Sequence, residues 1–157
     1  MINYWEEPWN ENEYEEKLSE IKKRGKLLVS DLIGFKRIQV LNDLFNKNYK
    51  KGYFNFGKCF LNYSNNERIW FPFFIKHKEW DNTISKDGEY INQKYIGNKI
   101  IDIEKNKEIN DKSNRYVFAK CKDNLGYISY RFIGVFIYDK YNNGITIYKR
   151  VSNELIF

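Results

Sequence analysis

Histidine and cysteine are almost missing from this chain of 157 residues. There is one histidine, His77, and there are two cysteines, Cys59 and Cys121, with no Cys-x-x-Cys pair. A single histidine excludes any site that needs two. A zinc site would have to gather Cys59, Cys121, His77 and a carboxylate without any ligand-pair spacing to support it. Two cysteines are too few for a small extracellular disulfide scaffold, so reduced thiols are expected. A Cys–His nucleophilic pair is formally available, but both cysteines sit in apolar runs and read better as small buried hydrophobes. Gly25, Gly34, Gly52 and Gly57 are scattered without the pattern of a phosphate-cradling loop. No cofactor is expected.

Long apolar runs are missing too. No stretch approaches the roughly 20 residues of a membrane span, and Met1 to Asn10 is acidic and aromatic, without the basic start and apolar run of a signal peptide. The expectation is a soluble, cytoplasmic chain with no membrane partner. No internal repeat or low-complexity linker interrupts it, which predicts one domain over 1–157, with 1–50 mainly helical and 51–157 mainly β. That length buries roughly 68–70% of the unfolded surface and needs no covalent staples.

Charge is abundant but uneven. The net charge is +6, yet Met1 to Glu20 holds seven Glu and one Lys, so this segment carries −6 and the remainder +12. A basic body favours polyanions, because each Lys or Arg that neutralises a phosphate releases counterions. The many Lys, Asn, Ile and Tyr residues also fit an AT-rich coding sequence, which raises charge and aromatic content without any function.

Residues 8–47 read as helical. Pro8 suits an early helix position. Tyr14, Leu18 and Ile21 share one helical face. Lys22, Lys23 and Arg24 precede Gly25, a natural C-terminal cap. Lys26 to Ile33 is apolar and fits strand or helix, and Ile38, Leu41, Leu44 and Phe45 predict a second amphipathic helix ending near Asn46–Asn48. Tyr53–Leu61 and Arg68–Lys76 read as strands separated by a turn at Asn62–Asn66. Pro72 cannot donate to a ladder, so the second strand is at an edge, broken or bulged there. Lys76–Gly88 reads as a polar loop, and 90–114 as mixed loop and short elements. Arg115–Cys121, Tyr127–Tyr138 and Ile145–Val151 are strands. The middle one is apolar on both faces and therefore central, and Tyr141–Gly144 is a hairpin turn whose Asn-Gly supplies positive φ. Helices first and strands later predict an α+β fold: N-terminal helices, then a strongly bent, mostly antiparallel sheet or small open barrel.

Catalytic patterns are weak. A metal-dependent nuclease would take Asp81 or Asp87 with an acidic-x-Lys triplet on a strand. Asp102, Glu104 and Lys105 have the wrong offset, and Glu15–Glu16–Lys17 falls on the first helix. The expectation is a binding protein rather than an enzyme, with the nuclease kept as an alternative.

The stronger pattern is aromatic residues interleaved with cations. Arg68, Trp70, Phe71, Phe73, Lys76, His77, Lys78 and Trp80 lie within thirteen positions. Bases are held by stacking on aromatic faces while cations hold phosphates. Asp81 and Asn82 add the acceptors and donors that read a base edge. Phe71, Phe73 and Ile75 fit the core better, whereas Trp70 and Trp80 are candidates for a ligand pocket. Arg115, Lys120, Arg131, Lys149 and Arg150 make a second basic set. Arg131 interrupts an apolar strand, so it is either paired or facing an opening.

The run Arg115–Lys120, then Tyr130–Arg131–Phe132–Ile133–Gly134–Val135–Phe136, closing with Tyr148–Lys149–Arg150–Val151, resembles the C-terminal strands of PUA-like domains, the superfamily of the EVE and SRA modified-base readers. Trp70–Phe71–Pro72 and the loop of Trp80–Asp81–Asn82, Ser85 and Asp87–Gly88 extend the resemblance, which leaves the first 50 residues unexplained. It implies a nucleotide held between aromatic walls: Trp70, Trp80 and Tyr130 lining the pocket, Asp81 and Asn82 reading the base, and Lys76, Lys78, Arg115, Arg131, Lys149 and Arg150 on phosphates. The implied partner is a nucleic acid, DNA ahead of RNA. The alternative is a protein–protein inhibitor or adaptor, such as a phage counter-defence protein. It would dock through the acidic helix bearing Glu6, Glu7, Glu11, Glu13, Glu15 and Glu16, unless that helix simply covers its own basic body.

Overall fold

The computed structural model describes residues 11–46, 60–64, 66–74, 76–77, 80–97, 111–122, 126 and 128–157. Helix α1 spans Glu11–Arg24. Tyr14, Leu18 and Ile21 are buried along one face while Glu13, Glu15, Glu16 and Glu20 are exposed, as the periodicity requires. Gly25 ends the helix at φ +81°, with its N–H bonded to the Ile21 carbonyl at 3.0 Å, a conformation that glycine adopts without penalty. The ambiguous piece after it divides into strand β1, Lys26–Leu28, and a 3₁₀ turn, Val29–Asp31. The Asp31 carboxylate accepts from the Leu28 N–H at 2.7 Å and pairs with Arg24.

The second helix begins as one α turn, α2, Arg37–Gln39, and widens into a π turn over Val40–Leu44. The Phe45 N–H reaches back five residues to Val40 at 3.3 Å. This wider turn lets Val40, Leu41, Leu44 and Phe45 all enter the core. Asn46, at φ +53°, ends it.

The strands form two sheets. The larger has the order β2-β3-β7-β8-β9-β6-β5-β4, where β2 is Phe60–Ser64, β3 Glu67–Trp70, β4 Lys76–His77, β5 Trp80–Ile84, β6 Tyr90–Tyr95, β7 Asn114–Lys122, β8 Ile128–Asn142 and β9 Ile145–Ser152. Every pairing is antiparallel except β3 with β7. The smaller sheet pairs β1 with β10, Glu154–Ile156. This is the α+β architecture the sequence predicts, with a mixed, open sheet.

Strand β8 is central and covered on both faces, as its apolar pattern requires: Ser129 through Phe136 are all buried. Its register shifts beside Gly134, which sits at φ +136° with the Arg150 side chain where a Cβ would stand. Asn143 and Gly144, both at positive φ, close the β8–β9 hairpin. The helical layer is sewn to β8 by a two-way bridge, Phe35 N–H to Tyr130 O at 2.9 Å and Tyr130 N–H to Phe35 O at 2.8 Å. Edge-on ring contacts then run from Tyr14 through Phe35 to Phe118.

Several sequence expectations change. The predicted strand 53–61 lies outside the described residues except at its end, where β2 begins and runs on to Ser64. Strand β3 stops at Trp70, two residues before Pro72. The expected polar loop 76–88 contains β4 and β5, and the expected mixed segment contains β6. Trp-Asp-Asn-Thr-Ile and Tyr-Ile-Asn-Gln-Lys-Tyr carry few apolar residues because only their Ile84 and Ile91 ends reach the core. No helix among the described residues is long and apolar enough to cross a membrane.

Candidate nucleic-acid interface

Strands alternate their side chains, so Trp80, Asn82 and Ile84 of β5 share one face. Their register partners across β6 are Tyr95, Gln93 and Ile91, and Ile91 and Gln93 in turn face Tyr148 and Thr146 of β9. The result is a graded surface. At the deep end Ile91 and Tyr148 are sealed at 0% and 1% exposure, while at the outer end Trp80 is 38% exposed. The Trp80 and Tyr95 rings meet edge to face, 5.2 Å apart. Gly97 follows in the space under the Tyr95 ring, where a Cβ would come within 2.4 Å of the phenol oxygen.

Polar groups occupy the middle of this face. The Tyr148 hydroxyl donates a long bond, 3.5 Å, to Gln93 Oε1. The Asn82 Oδ1 atom is buried and accepts no hydrogen bond among the described residues. A desolvated acceptor of this kind costs the folded state about 1–3 kcal/mol, so it marks a place where a donor from outside the chain is favoured.

Behind Tyr148 the sheet is braced. Trp70, at 4% exposure, packs on the Tyr148 ring at 5.1 Å. The Arg115 guanidinium lies 4.7 Å over the same ring and reaches Asp111 at 3.4 Å and the Ser113 carbonyl at 3.3 Å. Arg68 holds Asp111 from the other side at 3.5 Å. Burial pushes the Asp111 carboxyl up, but the Ser113 hydrogen bonds and the charges of Arg115 and Arg68 outweigh it and hold the group below the usual carboxylate range.

The β5–β6 turn is fixed by side chains. Ser85 Oγ donates to Asp87 Oδ1 at 2.6 Å, and that oxygen also accepts the Glu89 N–H at 3.0 Å. These bonds, with the Ser85 hydroxyl first, lower the Asp87 carboxyl. Glu89 then pairs with Arg150 at 2.6 Å, which ties the turn to β9.

A second group lies on the other side of the β3 exit. The Arg37 guanidinium sits 5.1 Å over the Tyr130 ring and 5.7 Å over Phe71, and its Nε donates to Tyr130 Oη at 2.9 Å. Lys120, directly across from Tyr130 in the β7–β8 ladder, places its ammonium 4.6 Å over Phe73.

The sequence-derived candidates therefore separate. Trp80 and Asn82 come together as expected. Asp81 alternates to the opposite face, in register with Lys94 and, across β4, with Lys76. Lys78 lies outside the described residues. Trp70 is beneath the face as packing rather than in its opening. Tyr130 belongs with Arg37 and not with Trp80. Arg115 and Arg131, at 1% and 2% exposure, are interior and do not reach the surface as phosphate ligands would, because the covered strands β7 and β8 carry both guanidinia inward. Arg150 is engaged by Glu89 and lies over Gly134. Lys149 is exposed on β9, opposite in direction to Tyr148. Gln93, Tyr95, Tyr148 and Arg37 were not singled out. Once β5 and β6 are recognised as paired strands, the first three follow from alternation, whereas Arg37 depends on a tertiary contact.

A mixed, bulged sheet that carries an N-terminal helical layer and opens a polar, aromatic-rimmed face on β5 and β6 defines a PUA-like domain of the modified-base-reading kind. The chain belongs to the SET and RING associated (SRA) domain family, whose model matches residues 20–157, a family of nucleic-acid-binding domains that read modified bases. Among solved structures the chain is similar to the 5-hydroxymethylcytosine-specific restriction enzyme AbaSI, with 28% identity and a TM-score of 0.73 over 96% of this chain. It spans about half of that enzyme, 48% of its length. No curated protein matches the chain.

Proposed function

We propose that the chain binds DNA and holds one flipped, modified cytosine against the Trp80–Asn82–Gln93–Tyr95 face, acting as a reader without chemistry of its own. Asn82 Oδ1 carries the reading: it is a buried acceptor with no donor among the described residues, set between an aromatic rim and a polar floor. The exocyclic amino group of cytosine is a donor of the required kind. Trp80 and Tyr95 supply stacking worth about 1–3 kcal/mol per base, which offsets the few kcal/mol needed to unstack and unpair a base. Gln93 and the Tyr148 hydroxyl together offer both donor and acceptor capacity, which suits a substituent such as a hydroxymethyl group. The similarity to AbaSI makes 5-hydroxymethylcytosine the first base to test.

The experiment is a titration of three duplexes that differ only at one cytosine, unmodified, 5-methylated or 5-hydroxymethylated. Preference for one modified duplex, lost in Trp80→Ala and Asn82→Ala, is the expected result. Equal affinity for all three duplexes defeats the proposal.

A further inference from the structure

The floor of the base-reading face carries a hydroxyl that the reading above leaves unused. Thr146 of β9 stands opposite Gln93 of β6 on one side and opposite Tyr141 of β8 on the other. Paired residues share a face of the sheet, so Asn82, Gln93, Thr146 and Tyr141 form one row across four strands. The register shift between Tyr138 and Lys140 turns Tyr141 onto the face that Tyr138 already occupies.

Thr146 keeps only 6% of its surface exposed. Its hydroxyl makes no hydrogen bond among the described residues, and unlike Asn82 Oδ1 it is not sealed from the outside. Its neighbours on the floor are committed or one-sided. The Tyr148 hydroxyl is directed at Gln93 Oε1, and Asn82 Oδ1 can only accept. A threonine hydroxyl both donates and accepts. Valine has nearly the same shape, suits a strand as well and carries no polar cost. A hydroxyl at so buried a position is unfavourable until a partner joins it.

The spacing of the row gives the size of that partner. Thr146 lies two strands from Asn82, about 10 Å between backbones, and side chains stand roughly perpendicular to a sheet. Two hydrogen bonds of about 2.8 Å, one at each end, leave about 4 Å for the ligand. The C4 amino group and a C5 hydroxymethyl group are adjacent on one pyrimidine ring and fit that gap.

We propose that Thr146 reads the hydroxyl of a 5-hydroxymethyl group while Asn82 takes the neighbouring amino group, which rests on the base-reading function above. Thr146 is then the residue that separates 5-hydroxymethylcytosine from 5-methylcytosine, whose methyl group offers it no hydrogen bond.

The test measures the affinity of the parent, Thr146→Val and Thr146→Ser for duplexes with cytosine, 5-methylcytosine or 5-hydroxymethylcytosine at one position, with thermal melting alongside. The parent is expected to bind the hydroxymethylated duplex more tightly than the methylated one. Thr146→Val should shrink that preference about 2- to 12-fold, as loss of one net hydrogen bond requires, and should melt no lower than the parent. Thr146→Ser keeps a hydroxyl and should keep the preference. An unchanged preference in Thr146→Val overturns the assignment. So does a loss that falls equally on all three duplexes, or one that is as large in Thr146→Ser. A parent that separates both modified duplexes from the unmodified one, but not from each other, removes the hydroxyl contact and leaves base reading standing. A parent with equal affinity for all three removes both.

Discussion

Replacing Asn82 by Leu keeps the branched shape and heavy-atom count of the side chain and removes a buried acceptor, so stability and binding should move in opposite directions. In the free protein Oδ1 is desolvated and accepts nothing among the described residues. The cost of such an atom is about 1–3 kcal/mol, and an apolar replacement recovers part of it. Taking about 1 kcal/mol as the recovered part, a domain of this size should melt about 2–4 °C higher. The bound state loses one hydrogen bond of about 0.5–1.5 kcal/mol, and with it the selectivity of a base-edge contact, about 1–3 kcal/mol. Affinity for the modified duplex should therefore fall about tenfold. Denaturant unfolding and fluorescence anisotropy on the same preparation measure both quantities. A residue retained for folding shows the reverse: Asn82→Leu would then lower the melting temperature and leave the duplex preference unchanged, and the argument from the buried acceptor would be refuted.

Other substitutions probe the framework. Gly97→Ala forces the Tyr95 ring aside, because the new Cβ meets its hydroxyl at 2.4 Å; binding of the modified duplex should weaken several-fold with little loss of stability, as read by titration and thermal melting. Gly134→Ala places a Cβ 2.5 Å from Arg150 Cδ at φ +136°, and strain of about 1–3 kcal/mol should appear as a lower denaturant midpoint. Cys121 is buried and its thiol is pushed up to about 11, so alkylation near neutral pH should be slow in the native protein and fast in denaturant; equal rates would show that the thiol is accessible. The lowered Asp111 carboxyl contributes stability that is present above its unfolded value, near 3.9, and is lost as pH falls through its folded value. Asp111→Asn should lower stability at pH 7 and flatten the acid limb of the stability profile, measured by urea unfolding across pH.

The parts of the fold that depend on local pattern were legible. Tyr14, Leu18 and Ile21 reported α1 because a helix face repeats every three to four residues, and Gly25 reported its end because few other residues accept φ near +81°. Strand β8 announced its central place through two apolar faces. Strands β5 and β6 were hidden for the opposite reason. Their functional face is polar and aromatic, so the alternation that marks an ordinary half-buried strand is weak over Trp80–Ile84 and Tyr90–Tyr95. Trp80 and Asn82 were recognisable from chemistry alone, while their partners Tyr95 and Gln93 required the register. Arg115 looks like a surface cation in sequence and Arg131 like one that is either paired or facing an opening, and only packing against Tyr148 or within the β7–β8 pair shows that both are interior.

The β1–β10 ladder sets an order of events. Lys26 pairs with Ile156, the Val29 N–H bonds to the Asn153 carbonyl, and the Phe157 N–H bonds to the Gly25 carbonyl. On a ribosome, β1 emerges some 130 residues before its partner strand. Contacts so distant along the chain form slowly. The helical cap can therefore dock against the growing sheet but cannot be latched until β10 has emerged, which makes this seam a late step in the folding of the sheet and its cap.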